Sequence, residues 1–162
     1  MEGANPNAIT ESGKSPLMLA AMYGHKSAIA ALLDAGADPN LGSDQEFEEG
    51  TTALMYIASS FFASKVVAAQ KGNLAIVERL IQAGADVTLG WRTGCTPIAE
   101  AAYQGYLDVV ERLLAVGADP FQRIYDDEFY DALDYARLGQ AEGHHSGKDH
   151  AAIIELLSRQ PR

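Results

Sequence analysis

The sequence predicts an all-α solenoid, in which helix-turn-helix pairs stack side by side. Three observations predict it. The segment Leu32-Leu33-Asp34-Ala35-Gly36-Ala37-Asp38-Pro39-Asn40 returns as Leu80-Ile81-Gln82-Ala83-Gly84-Ala85-Asp86-Val87-Thr88, and again as Leu113-Leu114-Ala115-Val116-Gly117-Ala118-Asp119-Pro120-Phe121. A second signature precedes each copy: Gly13-Lys14-Ser15-Pro16-Leu17-Met18-Leu19-Ala20-Ala21, Gly50-Thr51-Thr52-Ala53-Leu54-Met55-Tyr56-Ile57-Ala58 and Gly94-Cys95-Thr96-Pro97-Ile98-Ala99-Glu100-Ala101-Ala102, with a degenerate fourth at Asp131-Ala132-Leu133-Asp134-Tyr135-Ala136. The period is 33 residues from Gly84 to Gly117 and 48 from Gly36 to Gly84, one unit plus an insertion of 15. Repetition on that scale means stacked units, because a single helix pair cannot bury its own apolar face.

Each unit is justified in chain order by local chemistry. Ser15, Thr52, Thr96 and Asp131 share one slot and are all good N-caps, with Pro16 and Pro97 at the first helical position behind two of them. The first helix is short and alanine-rich, which lets neighbours approach closely, and Gly24, Gly72 or Gly105 is expected to break it. The second helix carries apolar residues at helical spacing: Ile29 with Leu32-Leu33, Ile76-Val77 with Leu80-Ile81, Val109-Val110 with Leu113-Leu114, and Ile153 with Leu156-Leu157. Asn73 and Asp149 are read as N-caps of this helix in the second and fourth units. Gly36, Gly84 and Gly117 end it as left-handed stops.

These two signatures at this period resemble the ankyrin repeat, whose pattern is G-x-T-P-L-H-x-A-A-x-x-G-H, then apolar pairs, then L-L-x-x-G-A-D-x-N. The resemblance covers most of the chain. It implies one domain over 1–162, with repeat 1 at about 8–40, repeat 2 at about 41–88, repeat 3 at about 89–121 and a degenerate repeat 4 at about 122–160. It also implies that the turns joining the units form β-hairpin or loop fingers, and that fingertips and first helices make a concave binding face. Carried over position by position, that face holds Glu11, Ser12 and Lys14 on finger 1, and Glu48, Glu49 and Thr51 on finger 2. Trp91, Arg92, Thr93 and Cys95 fall on finger 3, and Asp127, Glu128 and Tyr130 on finger 4. Met22, Tyr23, Tyr103, Gln104, Arg137 and Leu138 match on the first helices. Aromatic anchors rimmed by charge suit a protein–protein contact. The family's His after T-P-L is replaced by Met18, Met55, Ala99 and Asp134, so stacking is expected to rest more on apolar contact, while His25 keeps the structural Gly-His position.

The insertions are where this chain departs from the pattern. Repeat 2 gains 11 residues within 59–71, about three helical turns, so its first helix is expected to lengthen without rotating its face. Phe62, Val66 and Ala69 then line one side, either packed on their own repeat or a neighbour or raised as a ridge for a partner, with Phe61 and Phe62 as the candidate contacts. Asp44, Glu46, Glu48 and Glu49 crowd the enlarged second finger, and Asp126, Asp127 and Glu128 the fourth, with no base inside either run. At the other end Gly3-Ala4-Asn5-Pro6-Asn7 copies Gly36-Ala37-Asp38-Pro39-Asn40, so the chain opens on a half-finger, read as a natural or lightly trimmed start.

Composition narrows the partners. A hydrophobic share of 48% is enough for a core. With 12 Lys and Arg against 22 Asp and Glu the net charge is −10, which disfavours nucleic acid and anionic membranes, since both are held by basic side chains. A protein with a basic surface fits better, steered by that charge. One cysteine, Cys95, forms no internal disulfide, and Met1 to Asn7 lacks a basic start followed by an apolar run, so the expectation is a soluble, cytoplasmic monomer.

Chemistry finds little purchase. His144, His145, Asp149 and His150 form the only metal-like cluster, and they lack a further ligand at coordinating spacing. Cys95 has no histidine near it in sequence to activate it. The sequence therefore reads as a non-catalytic protein-binding module with no cofactor and no metal. The narrower alternative is an inhibitor or immunity-type protein capping the active site of a cognate enzyme or toxin, and a remote one is a metal-dependent hydrolase.

Overall fold

The computed structural model describes residues 4–43, 50–59, 70–90, 95–122, 130–143 and 149–161. Among them the anticipated caps begin the first helices. Ser15 Oγ accepts from the Met18 amide at 3.2 Å while Met18 Sδ accepts from the Ser15 amide at 3.4 Å, so the Met in the missing-His slot closes a capping box with sulfur. Thr96 accepts from the Ala99 amide at 3.3 Å, Asp131 from Leu133 and Asp134, and Thr52 from Met55 at 3.5 Å. Behind these caps run α1 (Pro16–Met22), α3 (Ala53–Ser59), α5 (Pro97–Gln104) and α7 (Ala132–Ala141). Each is followed by its partner: α2 (Lys26–Asp34), α4 (Gln70–Gln82), α6 (Leu107–Ala115) and α8 (His150–Ser158).

The helices form two rows. α1, α3, α5 and α7 contact one another in order, α2, α4, α6 and α8 do the same, and each first helix packs on its own second helix. One continuous core lies between the rows, with Leu17, Leu54, Ile98 and Leu133 from the first and Ile29, Val77, Val110 and Ile153 from the second. Burying each such side chain contributes roughly 1.5–3 kcal/mol. Gly36, Gly84 and Gly117 take φ of 85°, 91° and 93° and stop the second helices as expected.

Two expectations are corrected. Gly72 and Asn73 do not separate two helices; both lie inside α4, which begins at Gln70. A glycine costs only about 1 kcal/mol inside a helix when the chain continues in the same direction. Asp149 does sit at the N-cap of α8, but its side chain makes no capping hydrogen bond there. No strand is found among the described residues; the base of finger 2 is closed by two backbone bonds, Ser43 N to Thr51 O at 3.0 Å and Gly50 N to Ser43 O at 2.9 Å, and residues 44–49 of that finger lie outside the described residues. The anticipated lengthening of the first helix in repeat 2 falls at 60–69, outside the described residues.

Stacking is also more polar than the absent His suggests. Asn7 reaches across to the next unit, donating from Nδ2 to Gly36 O at 3.3 Å and accepting from the Asp38 amide at 2.7 Å. Asn40 repeats the contact on the following unit, with Gly84 O at 2.9 Å and the Asp86 amide at 2.6 Å. A side-chain amide suits this because it donates and accepts at once. At the next joint Thr88 takes the slot and turns back on its own loop, bonding Asp86 Oδ1 through both its amide and its hydroxyl. On the second helices Arg79 pairs with Asp34, and Arg112 lies 3.8 Å from Glu78. These partly exposed ion pairs add little, at most about 1 kcal/mol each.

Candidate functional site

The sequence-predicted binding residues divide into three groups. Glu46, Glu48, Glu49, Phe61, Phe62, Trp91, Arg92, Asp127 and Glu128 lie outside the described residues. At the first end of the solenoid, Glu11 is exposed in the finger 1 turn, Lys14 is half-buried, and Met22 packs partly against the core at the end of α1. Tyr23, the C-cap of α1, is 63% exposed, its ring 6.1 Å from that of His25. The third group, Tyr103, Gln104 and Tyr130, gathers where α5 meets α7.

That junction is built around Tyr135. Tyr135 falls in the same slot of α7 as Glu100 does in α5 and Tyr56 in α3, so stacking brings it over Glu100. Its ring meets Tyr103 edge-on at 6.2 Å and Tyr130 edge-on at 5.9 Å, linking two predicted residues that sequence separates by 27 positions. Such T-shaped pairs are worth roughly 0.5–1.5 kcal/mol beyond area. Tyr130 remains 52% exposed, while Tyr103 and Tyr135 are half-buried. The Tyr103 hydroxyl donates to Glu142 Oε2 at 2.5 Å.

Beneath the rings lies a buried polar group. Glu100 is only 6% exposed; its Oε1 accepts from Gln104 Nε2 at 2.9 Å, and the Cys95 thiol faces its Oε2 at 3.5 Å. Gln104 is thus buried, not displayed on the face as its repeat position implied, because α5 turns that side toward α7 and the carboxylate requires a donor. Cys95 is likewise drawn under the finger and is 2% exposed. Desolvation, and then the Glu100 charge, push its thiol far above the ordinary range, so the nucleophilic thiolate is suppressed. Burial pushes the Tyr103 phenol up to about 12, with the hydrogen bond to Glu142 and then the charges of Glu142 and Glu100 adding to it. Tyr135 is raised in the same direction by burial, then by Cys95 and Glu100.

His150, placed from sequence in a metal-like cluster, serves packing instead. Its Nε2 lies 2.8 Å from the Tyr103 carbonyl oxygen, and its ring fills the space left by the missing side chains of Gly105 and Gly139. His144 and His145 lie outside the described residues. Among the described residues no three His, Cys, Asp or Glu side chains are placed to hold a metal ion. Sequence reasoning missed Tyr135 and Glu142 as members of this junction. For Tyr135 the signal was present, an aromatic in the slot that Glu100 holds one repeat earlier; for Glu142 there was none.

The comparisons with known proteins agree with the architecture. A family model for ankyrin repeats, in three copies, matches residues 1–67 and 62–124. This chain belongs to the ankyrin repeat family, whose repeats typically act as non-catalytic protein–protein interaction modules. It is 37% identical over 90 residues, 56% of its length, to the rat "Ankyrin repeat and SAM domain-containing protein 6". It is 38% identical over 84 residues, 52% of its length, to the mouse "Ankyrin repeat and MYND domain-containing protein 1". It spans 9% of each of these relatives. The fourth helix pair, α7 and α8, lies beyond the matched residues. Among the described residues no helix is long and apolar enough to cross a membrane.

Proposed function

We propose that this chain is a non-catalytic module, a monomer of four repeats, that binds a partner protein with a basic surface through its first-helix row and fingers. One observation carries the reading. Tyr23 and Tyr130 stand exposed on a chain whose net charge is −10, with Tyr103 half-exposed between them in the stack. Large amphipathic rings are the side chains that dominate protein–protein contacts. The acids that sequence assigns to fingers 2 and 4 supply long-range attraction, which speeds encounter with a basic surface and weakens with salt.

The test begins with capture and identification of a partner, followed by titration of the purified pair by calorimetry at two salt concentrations. A Tyr23→Ser/Tyr130→Ser double variant, whose sites are both exposed, is expected to weaken binding at least about tenfold, corresponding to 1.4 kcal/mol. Raising the salt should weaken the wild-type complex as well. A partner that binds the variant as tightly as wild type, at either salt, would place the contact elsewhere.

A further inference from the structure

Across the joints of the stack, three kinds of position on a unit face the unit before it. At the finger base a backbone amide donates backward, Asp38 N to Asn7 Oδ1 at 2.7 Å and Asp86 N to Asn40 Oδ1 at 2.6 Å. On the second helix an arginine reaches backward, Arg79 to Asp34 and Arg112 toward Glu78 at 3.8 Å. On the first helix, Tyr135 meets Tyr103, and a Cβ on Gly139 would point at the Tyr103 carbonyl oxygen. The same spacing places Asn5, Ala31, Leu19 and Tyr23 at these positions in the first unit. There the Asn5 amide has no acceptor among the described residues, Ala31 and Tyr23 are exposed, and Leu19 is half-buried. A methyl thus replaces the arginine, and a phenol replaces the glycine. The unit is also nearly balanced in charge: within residues 4–43 two lysines stand against three acids, in a chain of net charge −10. This outer face is apolar, aromatic and uncharged, with one free amide donor at its edge.

We propose that this end of the solenoid receives a helix pair of a second protein, stacked on the first unit as one more repeat. A surface that continues an interface already present in the molecule accepts what that interface accepts, and here that is a helix pair. The incoming pair closes on an asparagine, whose Oδ1 accepts from the Asn5 amide as Asn7 and Asn40 accept further along. Its first helix packs on Leu19 and Tyr23. Ala31 offers no cation, so the position answering Asp34 and Glu78 in the incoming pair is neutral. The assignment rests on the protein-binding reading above and adds a contact of different chemistry, since the acids of the fingers favour a basic surface and this end favours an uncharged one. A second copy stacked tail to head does not fit, because α8 is followed by Arg159-Gln160-Pro161 and not by the run that closes on asparagine.

The experiment titrates the whole isotope-labelled chain with a synthetic peptide of residues 8–40, which carries two helix sequences and the closing Asn40, and with a scrambled peptide of the same composition. NMR is expected to show saturable shifts of the Asn5 amide, the Ala31 methyl and the Tyr23 ring with the first peptide and none with the second. Tyr23→Ser in the whole chain should weaken binding about tenfold at unchanged Tm, and Asn40→Ala in the peptide about fivefold, the size of one hydrogen bond. A companion chain with residues 8–40 duplicated in tandem ahead of residue 8 supplies the same helix pair covalently. If the tandem copy covers Tyr23 while the free peptide never binds, the occupant is a linked unit and the assignment to a second protein is overturned. Shifts that stay linear, that fall outside this face, or that survive Tyr23→Ser overturn it as well. If that happens while Tyr23→Ser/Tyr130→Ser still weakens an identified partner, the protein-binding reading stands without the end joint. If the partner is unaffected too, both readings fall.

Discussion

The two ends of the solenoid hold their repeats together by different means. Around the first two units the joint is a side-chain amide, Asn7 and then Asn40, reaching from one finger base to the backbone of the next. At α5, α7 and α8 the joint is close backbone approach: a Cβ on Gly139 would lie 2.0 Å from the Tyr103 carbonyl oxygen and 2.8 Å from His150 Nε2. An amide bridge spans a gap and adjusts to it. A backbone contact at that distance leaves no room to adjust, so the second joint is set by one absent atom. The difference explains how the degenerate fourth helix pair stays docked without the asparagine link.

The sharpest way to break the comparison is Gly139→Ala. In an unconstrained helix interior this change stabilises by up to about 1 kcal/mol. Here the added methyl meets backbone, and overpacking should lower stability by about 3 kcal/mol, read as a shift of the urea midpoint. A stabilised variant would show that α7 is free to move away from α5. Next in size is Asn40→Ala, which removes two inter-repeat hydrogen bonds and should cost about 2 kcal/mol. Asn40→Asp keeps the acceptor for the Asp86 amide but loses the donor to Gly84 O, so it should cost about half as much.

A smaller effect of opposite sign tests whether the amide joint is portable. Thr88→Asn restores the residue type that Asn7 and Asn40 supply at the earlier joints and should raise stability by about 1 kcal/mol. No gain would mean that the bonds Thr88 makes to Asp86 already suffice. The smallest effect is confined to alkaline pH. Tyr103 titrates near 12 when folded, above its ordinary value of 10, and Tyr135 is raised as well. Below pH 10 both states hold these protons and the phenols leave stability unchanged. From 10 to 12 the unfolded chain ionises first, so stability falls as pH rises. Tyr103→Phe should flatten that decline in thermal melts. Over the same range the native Cys95 should react with thiol reagents far more slowly than the unfolded chain does.

Much of the fold is legible residue by residue. Ser15, Thr96 and Asp131 cap the helices assigned to them, and Gly36, Gly84 and Gly117 take left-handed backbone, because caps and stops depend on a few neighbouring residues. Gly72 misled for the same reason: glycine both ends helices and tolerates them, and only the surrounding chain chooses. The candidate face was partly legible. Repeat position singled out Tyr23 and Tyr130, which are exposed, and Tyr103, which is half-buried, yet it also singled out Gln104 and Cys95, and both are buried beside Glu100. Repeat position encodes the average orientation of a side chain in the family. Glu100 is a buried carboxylate, and it draws Gln104 and Cys95 toward it.

By itself, then, the sequence determined most of the helix pairs with their caps and stops, the order of stacking and the sign of the charge, all of which follow from local propensity and a repeated period. Only the tertiary structure decided what the unusual residues do. Tyr135 joins Tyr103 to Tyr130, His150 fills the space beside two glycines, and Glu100 draws Cys95 and Gln104 inward. Those outcomes depend on which side chains meet across neighbouring helices, at distances of about 3 to 6 Å that stacking sets and that no pattern along one strand of sequence contains.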